Sequence, residues 1–203
     1  MTLTAEDRAR RIKIILFDVD GVLTDGTIWI YPMPVGQPDG SIVTKMVEAK
    51  GFSAHDGAAM TLARLGGMKV GVVTKRISET VALRSRDLKL EFVYQGQAHK
   101  LAAAQKIVAE AGCTLAELAF VGDDIVDLPV MRACGLAIAT ANARPQTKAA
   151  AHYITTNPGG QGAGRDAIEF ILAAQGKLEA AIDAFLDADN PAAAAADIGT
   201  GKM

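Results

Sequence analysis

The residues most able to do chemistry begin directly after an apolar segment near the start of the chain. Asp18 and Asp20 follow the apolar residues 12–17 and are themselves followed by Gly21. Two carboxylates at i and i+2 beyond a strand end point the same way, and they repel each other unless a cation or a shared proton relieves them. Glycine lets the backbone turn away sharply at this point. The pattern therefore predicts a site that holds a cation or a shared proton.

Further polar residues stand next to other apolar segments. Thr74 ends one such segment, Lys100 opens a helical stretch, and Asp123, Asp124 and Asp127 follow another segment. Taken singly, these would be a solvated turn, a helix cap or an exposed lysine. If the segments are parallel strands, however, their carboxyl ends meet at one edge of a sheet, where α/β folds place ligands. Hard oxygen ligands beside a lysine and a hydroxyl suit Mg²⁺ and a phosphate better than zinc.

The elements that must position these residues alternate between two patterns. Short, nearly continuous apolar runs predict strands buried on both faces, at residues 12–19, 68–74, 118–122, 135–140 and 152–156. Helical spacing lies between them, at residues 58–65, 78–88, 100–111, 128–133 and 145–150. Strands that alternate with helices favour βαβ units around a parallel sheet. The predicted fold class is α/β, a three-layer Rossmann-like arrangement of a parallel sheet flanked by helices.

One region before the first helix breaks this alternation. Residues 27–50 have alternating stretches around a turn-like Gln-Pro-Asp-Gly, which predicts a β-hairpin inserted after the first strand. Trp29 and Tyr31 on this hairpin are interpreted as packing residues whose partner is another subunit.

The C-terminal part of the chain also departs from the alternation. Residues 157–164 form a glycine-rich loop, and helical spacing follows at about 165–175 and at 178–186. We predict a single domain over residues 1–188, with 157–188 as a C-terminal arm with helices, and a flexible tail over 189–203.

Composition excludes several classes of function. The chain has 203 residues, 50% of them hydrophobic and 22% charged, with a formal charge of −2, so it has no polycationic surface for nucleic acid. No apolar run approaches the roughly 18 residues of a membrane span. Two cysteines cannot build a disulfide framework, and the polar N-terminus lacks a secretory signal. These features predict a cytoplasmic protein without membrane or nucleic-acid partners.

The chemical residues also resemble a known family. DVDGVLTDG at 18–26, Thr74, Lys100 and GDDxxD at 122–127 are similar to the four motifs of the haloacid dehalogenase superfamily of phosphotransferases. Within it, YQG at 94–96, VGDDIVDLPVM at 121–131, GGQG at 159–162 and AAQGKL at 173–178 resemble the 3-deoxy-D-manno-octulosonate 8-phosphate phosphatase family. The likeness covers about residues 12–178. It implies the superfamily fold, with the small hairpin in place of a cap domain.

The resemblance implies a role for each catalytic residue. Asp18 would attack phosphorus and form an aspartyl-phosphate, and Asp20 would protonate the leaving oxygen and then activate water. Mg²⁺ would be held by the Asp18 carboxylate, the Asp20 backbone carbonyl and Asp123.

It likewise implies roles for the residues around them. Thr74 and Lys100 would hold the phosphoryl oxygens. Asp127 and Asp124 would orient Lys100 and metal-bound water from a second layer.

Several positions depart from the family pattern where substrate would bind. Lys75-Arg76 stands in place of the usual Gly-Arg, His55 replaces an arginine, and Gln161 stands where an arginine is common. The substrate-binding candidates are Arg76, His55 and Arg165, the last two of which have surface roles as alternatives. These departures affect the choice of sugar acid and leave the catalytic residues unchanged.

The implied function is hydrolysis of a small phosphorylated sugar acid, most closely 3-deoxy-D-manno-octulosonate 8-phosphate. The alternatives are a phosphatase for a nine-carbon keto-deoxy sugar acid phosphate or another small ester, and a non-catalytic module of the same fold. Family likeness further implies a homo-oligomer, with a tetramer favoured, in which the glycine-rich arm reaches a neighbouring active site. A chain-local loop with a solvated Arg165 is the alternative for the arm.

Overall fold

The computed structural model describes residues 3–187 and residue 189. Its strands, in chain order, are β1 (Ile14–Phe17), β2 (Trp29–Gly36), β3 (Ile42–Ala49), β4 (Lys69–Val73), β5 (Phe92–Tyr94), β6 (Leu118–Gly122), β7 (Leu136–Ala139) and β8 (Tyr153–Ile154). Its helices are α1 (Ala5–Ala9), α2 (Ala54–Leu65), α3 (Glu79–Asp87), α4 (Lys100–Glu110), α5 (Leu128–Met131), α6 (Pro145–Ala150), α7 (Ala163–Ala174) and α8 (Leu178–Leu186). The predicted flexible tail lies, apart from residue 189, outside the described residues.

Six strands form one sheet in the order β5-β4-β1-β6-β7-β8, and every pairing within it is parallel. The central strand β1 is buried along its whole length, as a strand covered on both faces must be. Side chains alternate between the faces: Ile15 and Phe17 enter one apolar core, and Ile14 and Leu16 enter the other. The predicted three-layer α/β fold is confirmed.

Helices cover the two faces with different partners. On one face, α2 and α7 contribute the buried Met60, Ile168 and Ile171, and on the other face α4 contributes Ile107. Serine hydroxyls cap two of the helices, since Ser53 accepts from a backbone amide of α2 and Ser78 from one of α3. Among the described residues, no helix is long and apolar enough to cross a membrane.

The predicted hairpin is also present, as β2 and β3 pair antiparallel from Trp29 opposite Ala49 to Gly36 opposite Ile42. It forms a separate two-stranded sheet, and large apolar side chains on it are exposed. The strand β5 was not predicted from the sequence. It has three residues and lies at the edge of the sheet, so it carries too short a pattern to indicate a strand.

Candidate active site

The carboxyl ends of three neighbouring strands bring the predicted chemical residues together. In the register of the sheet, Phe17 of β1 lies beside Val72 of β4 and Val121 of β6. Asp18 and Thr74 therefore leave the sheet at the same edge, and both are buried. The Asp18 amide donates to the Val121 carbonyl at 3.0 Å, which holds the start of the aspartate loop against β6.

Lys100 lies between two of the aspartates. It is 3% exposed at the start of α4, and its Nζ is 2.7 Å from Asp18 Oδ2 and 2.6 Å from Asp127 Oδ1. The other oxygen of Asp127 accepts from the backbone amides of Asp123 and Asp124 at 3.0 and 3.4 Å. Because a buried carboxylate must be paired, Asp127 both orients the lysine and shapes the loop after β6.

Asp123 completes a cluster of three carboxylates. One oxygen each from Asp18, Asp123 and Asp127 lies within 4.8 Å of the others. Burial, together with the charges of Asp18 and Asp127, raises the pKa of Asp123 to about 7. Burial also raises the pKa of Asp18 to about 6, against the opposing charge of Lys100. One oxygen of Asp123, Oδ1, is buried without a hydrogen-bond partner. Lys100 pairs with Asp18 and Asp127, whereas no basic side chain among the described residues forms an ion pair with Asp123.

Only glycine fits at position 21 of the aspartate loop. Its φ is +87°, and a Cβ there would lie 2.1 Å from Asp123 Oδ2. The glycine thus lets the loop after β1 approach Asp123 closely, with a backbone conformation that other residues rarely adopt.

Asp20 lies at the mouth of this cluster and has basic neighbours. Its Oδ1 pairs with Lys50, which follows the last residue of β3, and its Oδ2 is 3.7 Å from Arg76 Nε. Arg76 also forms an ion pair with Glu48, at 2.8 Å from Nη2 to Oε2. The structure therefore brings the predicted Asp20 and Arg76 together through the base of the hairpin.

Three other predicted residues have contacts of their own outside the pairs described above. Asp124 is exposed and caps the turn that follows it, with its Oδ1 accepting from the Ile125 amide at 2.7 Å. His55 is exposed in the first turn of α2. Arg165 pairs with Glu169 at 2.6 Å, while its backbone amide donates to Asp56 Oδ1 at 2.9 Å. His55 and Arg165 thus share one corner of the fold, joined by Asp56.

The glycine-rich loop packs against its own chain. The Gly160 amide donates to the Val22 carbonyl at 3.0 Å, and the Gly159 amide donates to Asn142 Oδ1 at 2.7 Å. A Cβ at Gly159 would lie 1.9 Å from the Gly21 carbonyl oxygen. Gly159 and Gly160 therefore support the aspartate loop of the same chain, while the expectation that the arm reaches a neighbouring active site stays a prediction.

Sequence reasoning missed Lys50, Glu48 and Asn142. Glu48 lies near the end of an alternating strand, and Lys50 directly follows that strand. Charged residues at such positions are ordinarily solvated, so no local signal distinguishes these two from solvated residues. Asn142 Nδ2 donates to the Gly21 carbonyl at 3.3 Å, which joins three segments distant in sequence. A polar residue soon after β7, at the same sheet edge, is the signal that was available for it.

Comparison with known proteins finds a matching family and similar sequences. Residues 72–163 match the family model of haloacid dehalogenase-like hydrolases. The 3-deoxy-D-manno-octulosonate 8-phosphate phosphatase of Yersinia pestis is 35% identical over 174 residues, which cover 86% of this chain and 87% of that one.

Two solved structures are similar along most of both chains. The phosphatase of the same name from Moraxella catarrhalis, solved with magnesium ion, phosphate ion and KDO, superposes with a TM-score of 0.77 at 34% identity, covering 89% of this chain and 97% of that one. A probable YrbI-family phosphatase from Pseudomonas syringae gives 0.77 at 37% identity, covering 90% and 97%.

The parallel sheet, the aspartates beyond β1 and β6 and the intervening lysine define a haloacid dehalogenase-like hydrolase. Within that class, the chain belongs to the 3-deoxy-D-manno-octulosonate 8-phosphate (KDO 8-phosphate) phosphatase family.

Proposed function

We propose that the chain is a Mg²⁺-dependent phosphatase that hydrolyses KDO 8-phosphate through an aspartyl-phosphate intermediate. The observation that carries the proposal is the buried group at the sheet edge, where Lys100 bridges Asp18 and Asp127 beside an unpaired Asp123 oxygen. This group contains a nucleophile, a cation that can bind the phosphoryl oxygens, and an Asp123 carboxylate that a metal cation could pair with.

Phosphoryl transfer to the enzyme uses Asp18 and Asp20. A carboxylate oxygen of Asp18 forms a bond to phosphorus as the bond from phosphorus to the sugar oxygen breaks, with its electron pair passing to that oxygen. Asp20 gives its proton to the same oxygen, so that the sugar leaves as an alcohol. Lys100 and Thr74 hold the phosphoryl oxygens, over which the charge is spread in the transition state.

Hydrolysis of the intermediate uses the same residues in reverse. Asp20, now a carboxylate, accepts a proton from a water molecule whose oxygen attacks phosphorus. The bond from Asp18 to phosphorus breaks, and its electron pair returns to the Asp18 carboxylate. Inorganic phosphate leaves, and Asp127 keeps Lys100 in place throughout.

The residues at the sheet edge fit a divalent metal ion. The buried Asp123 Oδ1 has no hydrogen-bond partner, and the pKa of Asp123 is raised by burial and by the neighbouring aspartates, which a bound cation would offset. Asp18, Asp123 and the backbone carbonyl of Asp20 would hold Mg²⁺, an ion that prefers such oxygen ligands. When bound, Mg²⁺ supplies positive charge that offsets the negative charge of the phosphoryl group.

Arg76 is the candidate for binding the sugar carboxylate. It is half-exposed beside Asp20, and its planar guanidinium can pair with a carboxylate through two hydrogen bonds. His55 and Lys75 are exposed and differ from the family pattern, so a nine-carbon keto-deoxy sugar acid phosphate or another small phosphate ester is the alternative substrate. The intact Asp18 and Asp20 pair argues against a non-catalytic module.

A phosphate-release screen tests this proposal. Purified protein with Mg²⁺ is given KDO 8-phosphate, a nine-carbon keto-deoxy sugar acid phosphate, and ordinary hexose and pentose phosphates. We expect the highest kcat/KM for KDO 8-phosphate, and loss of activity in excess EDTA that added Mg²⁺ restores. Equal or faster hydrolysis of the hexose phosphates would contradict the substrate class, and full activity in EDTA would contradict the metal.

We further propose a homotetramer whose subunits meet through the hairpins. Trp29 and Ile42 are 64% and 74% exposed, and a two-stranded sheet with apolar side chains in solvent is ordinarily covered by a partner. The single domain proposed for residues 1–188 and a cytoplasmic location belong to the same proposal. The thiols of Cys113 and Cys134 are free, which suits a reducing compartment.

A further inference from the structure

Four charged side chains form a closed ring at the mouth of the site, with alternating signs. Asp20 Oδ1 pairs with Lys50 Nζ, which is 3.9 Å from Glu48 Oε1. Glu48 Oε2 is 2.8 Å from Arg76 Nη2, and Arg76 Nε is 3.7 Å from Asp20 Oδ2. Each oxygen of Asp20 therefore faces a different cation, and Glu48 faces both cations.

Lys50 is the most enclosed member of this ring. Its side chain is 0% exposed, whereas that of Arg76 is 45% exposed. A buried ammonium is retained only when it is paired, and removing its partner is costly. Lys50 is therefore fixed against Asp20 by its surroundings, whereas Arg76, although paired with Glu48, is accessible to a ligand from solvent.

The ring is anchored by the segment after β4. The Ser78 hydroxyl donates to Glu48 Oε1, and the Thr80 hydroxyl donates to the Glu48 carbonyl at 3.3 Å. Since Glu48 and Lys50 stand at the end of β3, these bonds fix the base of the hairpin to the sheet edge. The position of the hairpin thus sets the position of the Lys50 ammonium.

The two buried lysines have separate partners. Lys100 contacts Asp18 and Asp127, while Lys50 contacts Asp20 and lies near Glu48. The proposed nucleophile and the proposed acid–base group are therefore each held by a lysine from a different part of the chain, one from α4 and one from the hairpin.

We propose that Lys50 is a positioning residue for the proposed reaction: it holds Asp20 Oδ1, so that Oδ2, on the Arg76 side, meets the ester oxygen. The distance of 3.7 Å from Oδ2 to Arg76 Nε is longer than a hydrogen bond, so Oδ2 is not hydrogen-bonded to Arg76. Without Lys50, the Asp20 carboxylate would rotate toward Arg76 and lose that alignment. This inference rests on the proposed function.

The test compares two leaving groups in Lys50→Met. The sugar alcohol of KDO 8-phosphate leaves only when protonated, whereas the phenolate of p-nitrophenyl phosphate leaves without that help. Displacing a catalytic group by about 1 Å can cost about 10²-fold, so we expect kcat for KDO 8-phosphate to fall at least about tenfold. We expect KM for it to change by less than about threefold. We expect the same of the single-turnover rate of p-nitrophenolate release with enzyme in excess, because that rate reports attack by Asp18 and excludes the later hydrolysis step, in which Asp20 also acts.

Lys45→Met is the matched control, since Lys45 is an exposed lysine on β3, the strand that Lys50 directly follows. It should behave as the parent with both esters. If Lys50→Met lowers kcat for KDO 8-phosphate and the single-turnover rate with p-nitrophenyl phosphate equally while its melting curve matches the parent, or behaves like Lys45→Met, the role of Lys50 is overturned. If the parent releases phosphate from neither ester, the proposed function fails and this inference fails with it.

A double-mutant cycle with Asp20→Asn gives a second readout. If Lys50 acts through Asp20, adding Lys50→Met to Asp20→Asn should lower kcat for KDO 8-phosphate by less than about twofold. A further loss as large as that in the parent would overturn the proposal. Should Lys50→Met fail to fold, Lys50→Arg carries the same test, because it keeps the charge while displacing Asp20. It should lower kcat for KDO 8-phosphate while it leaves the single-turnover rate with p-nitrophenyl phosphate unchanged, and an equal loss in both would overturn the role.

Discussion

The sheet edge and the hairpin differ in which side chains they bury and which they expose. At the sheet edge, Asp18, Asp127 and Lys100 are buried and bonded to one another within a single chain. On the hairpin, large apolar side chains such as Trp29 and Ile42 are exposed. Charge is thus placed inside the fold and apolar surface outside it, the reverse of the usual distribution.

This difference indicates a different role for each of the two regions. A buried, paired charge cluster is preorganised for phosphoryl transfer, because its dipoles need not reorganise during the reaction. An exposed apolar sheet has no such use within one chain, and it suits contact with another subunit. The base of the hairpin, at Glu48 and Lys50, is where the two regions meet.

The largest expected effect comes from Asp18→Asn. The amide cannot act as an anionic nucleophile, so phosphate release should fall to the detection limit. The fold should be retained, since the change removes one carboxylate from a repulsive cluster. Steady-state phosphate release and a melting curve check both statements. A variant with activity within about tenfold of the parent would remove Asp18 from the mechanism.

Lys100→Met should have the next largest effect. Loss of a preorganised charge at the phosphoryl group costs about 10²–10³-fold in kcat. The variant should also melt at a lower temperature, because Asp18 and Asp127 are left buried without a cation. Lys106→Met, an exposed lysine on the same helix, is the control and should resemble the parent. Equal behaviour of the two variants would show that the buried cluster is not the reactive region.

The pH dependence of stability gives a smaller effect. The pKa of Asp123 is raised from 3.8 to about 7, so the folded state binds more protons than the unfolded state between those values. Stability of the metal-free protein should therefore decrease as pH rises through this window. Melting curves in EDTA should show a fall of about 3 °C or more that is reduced in Asp123→Asn. Parallel curves for parent and variant would contradict the raised pKa.

The smallest effect on chemistry is expected from the hairpin surface. Trp29→Ser with Ile42→Ser should leave hydrolysis of p-nitrophenyl phosphate unchanged, because neither residue lies at the sheet edge. Light scattering should report a smaller assembly than for the parent. A monomeric parent would remove the tetramer from the account and leave the exposed apolar residues without a partner.

The sequence predicted the parallel sheet because each buried strand is a short apolar run with little alternation. It also indicated Asp18, Thr74, Lys100 and Asp123 as one site, since each stands at the edge where parallel strands end. Burial of Lys50 could not be predicted. A lysine directly after an exposed strand has the same local sequence pattern whether or not it pairs with a carboxylate. Contacts of this kind depend on where the hairpin lies, which no local pattern encodes.

The contact of the glycine-rich loop with the aspartate loop could not be predicted, for a related reason. Glycines permit close approach to a backbone, but they do not indicate which backbone. The contact of Gly159 and Gly160 with the aspartate loop joins segments more than 130 residues apart, through Asn142. The helix α7, which follows the glycine-rich loop, packs on α2, and this contact between distant elements is not encoded in either local pattern.

We expect Asp18, at the sheet edge, to carry the phosphoryl group during turnover. Chemical trapping of this aspartyl-phosphate is the most direct test. Borohydride reduces an aspartyl-phosphate to homoserine, so a reaction quenched with it during turnover of KDO 8-phosphate marks the residue that was phosphorylated. Mass spectrometry of the peptide that contains residue 18 should find homoserine there, and the Asp18→Asn protein should yield none. Reduction of a different carboxylate, with Asp18 unmodified while phosphate is released, would contradict the account.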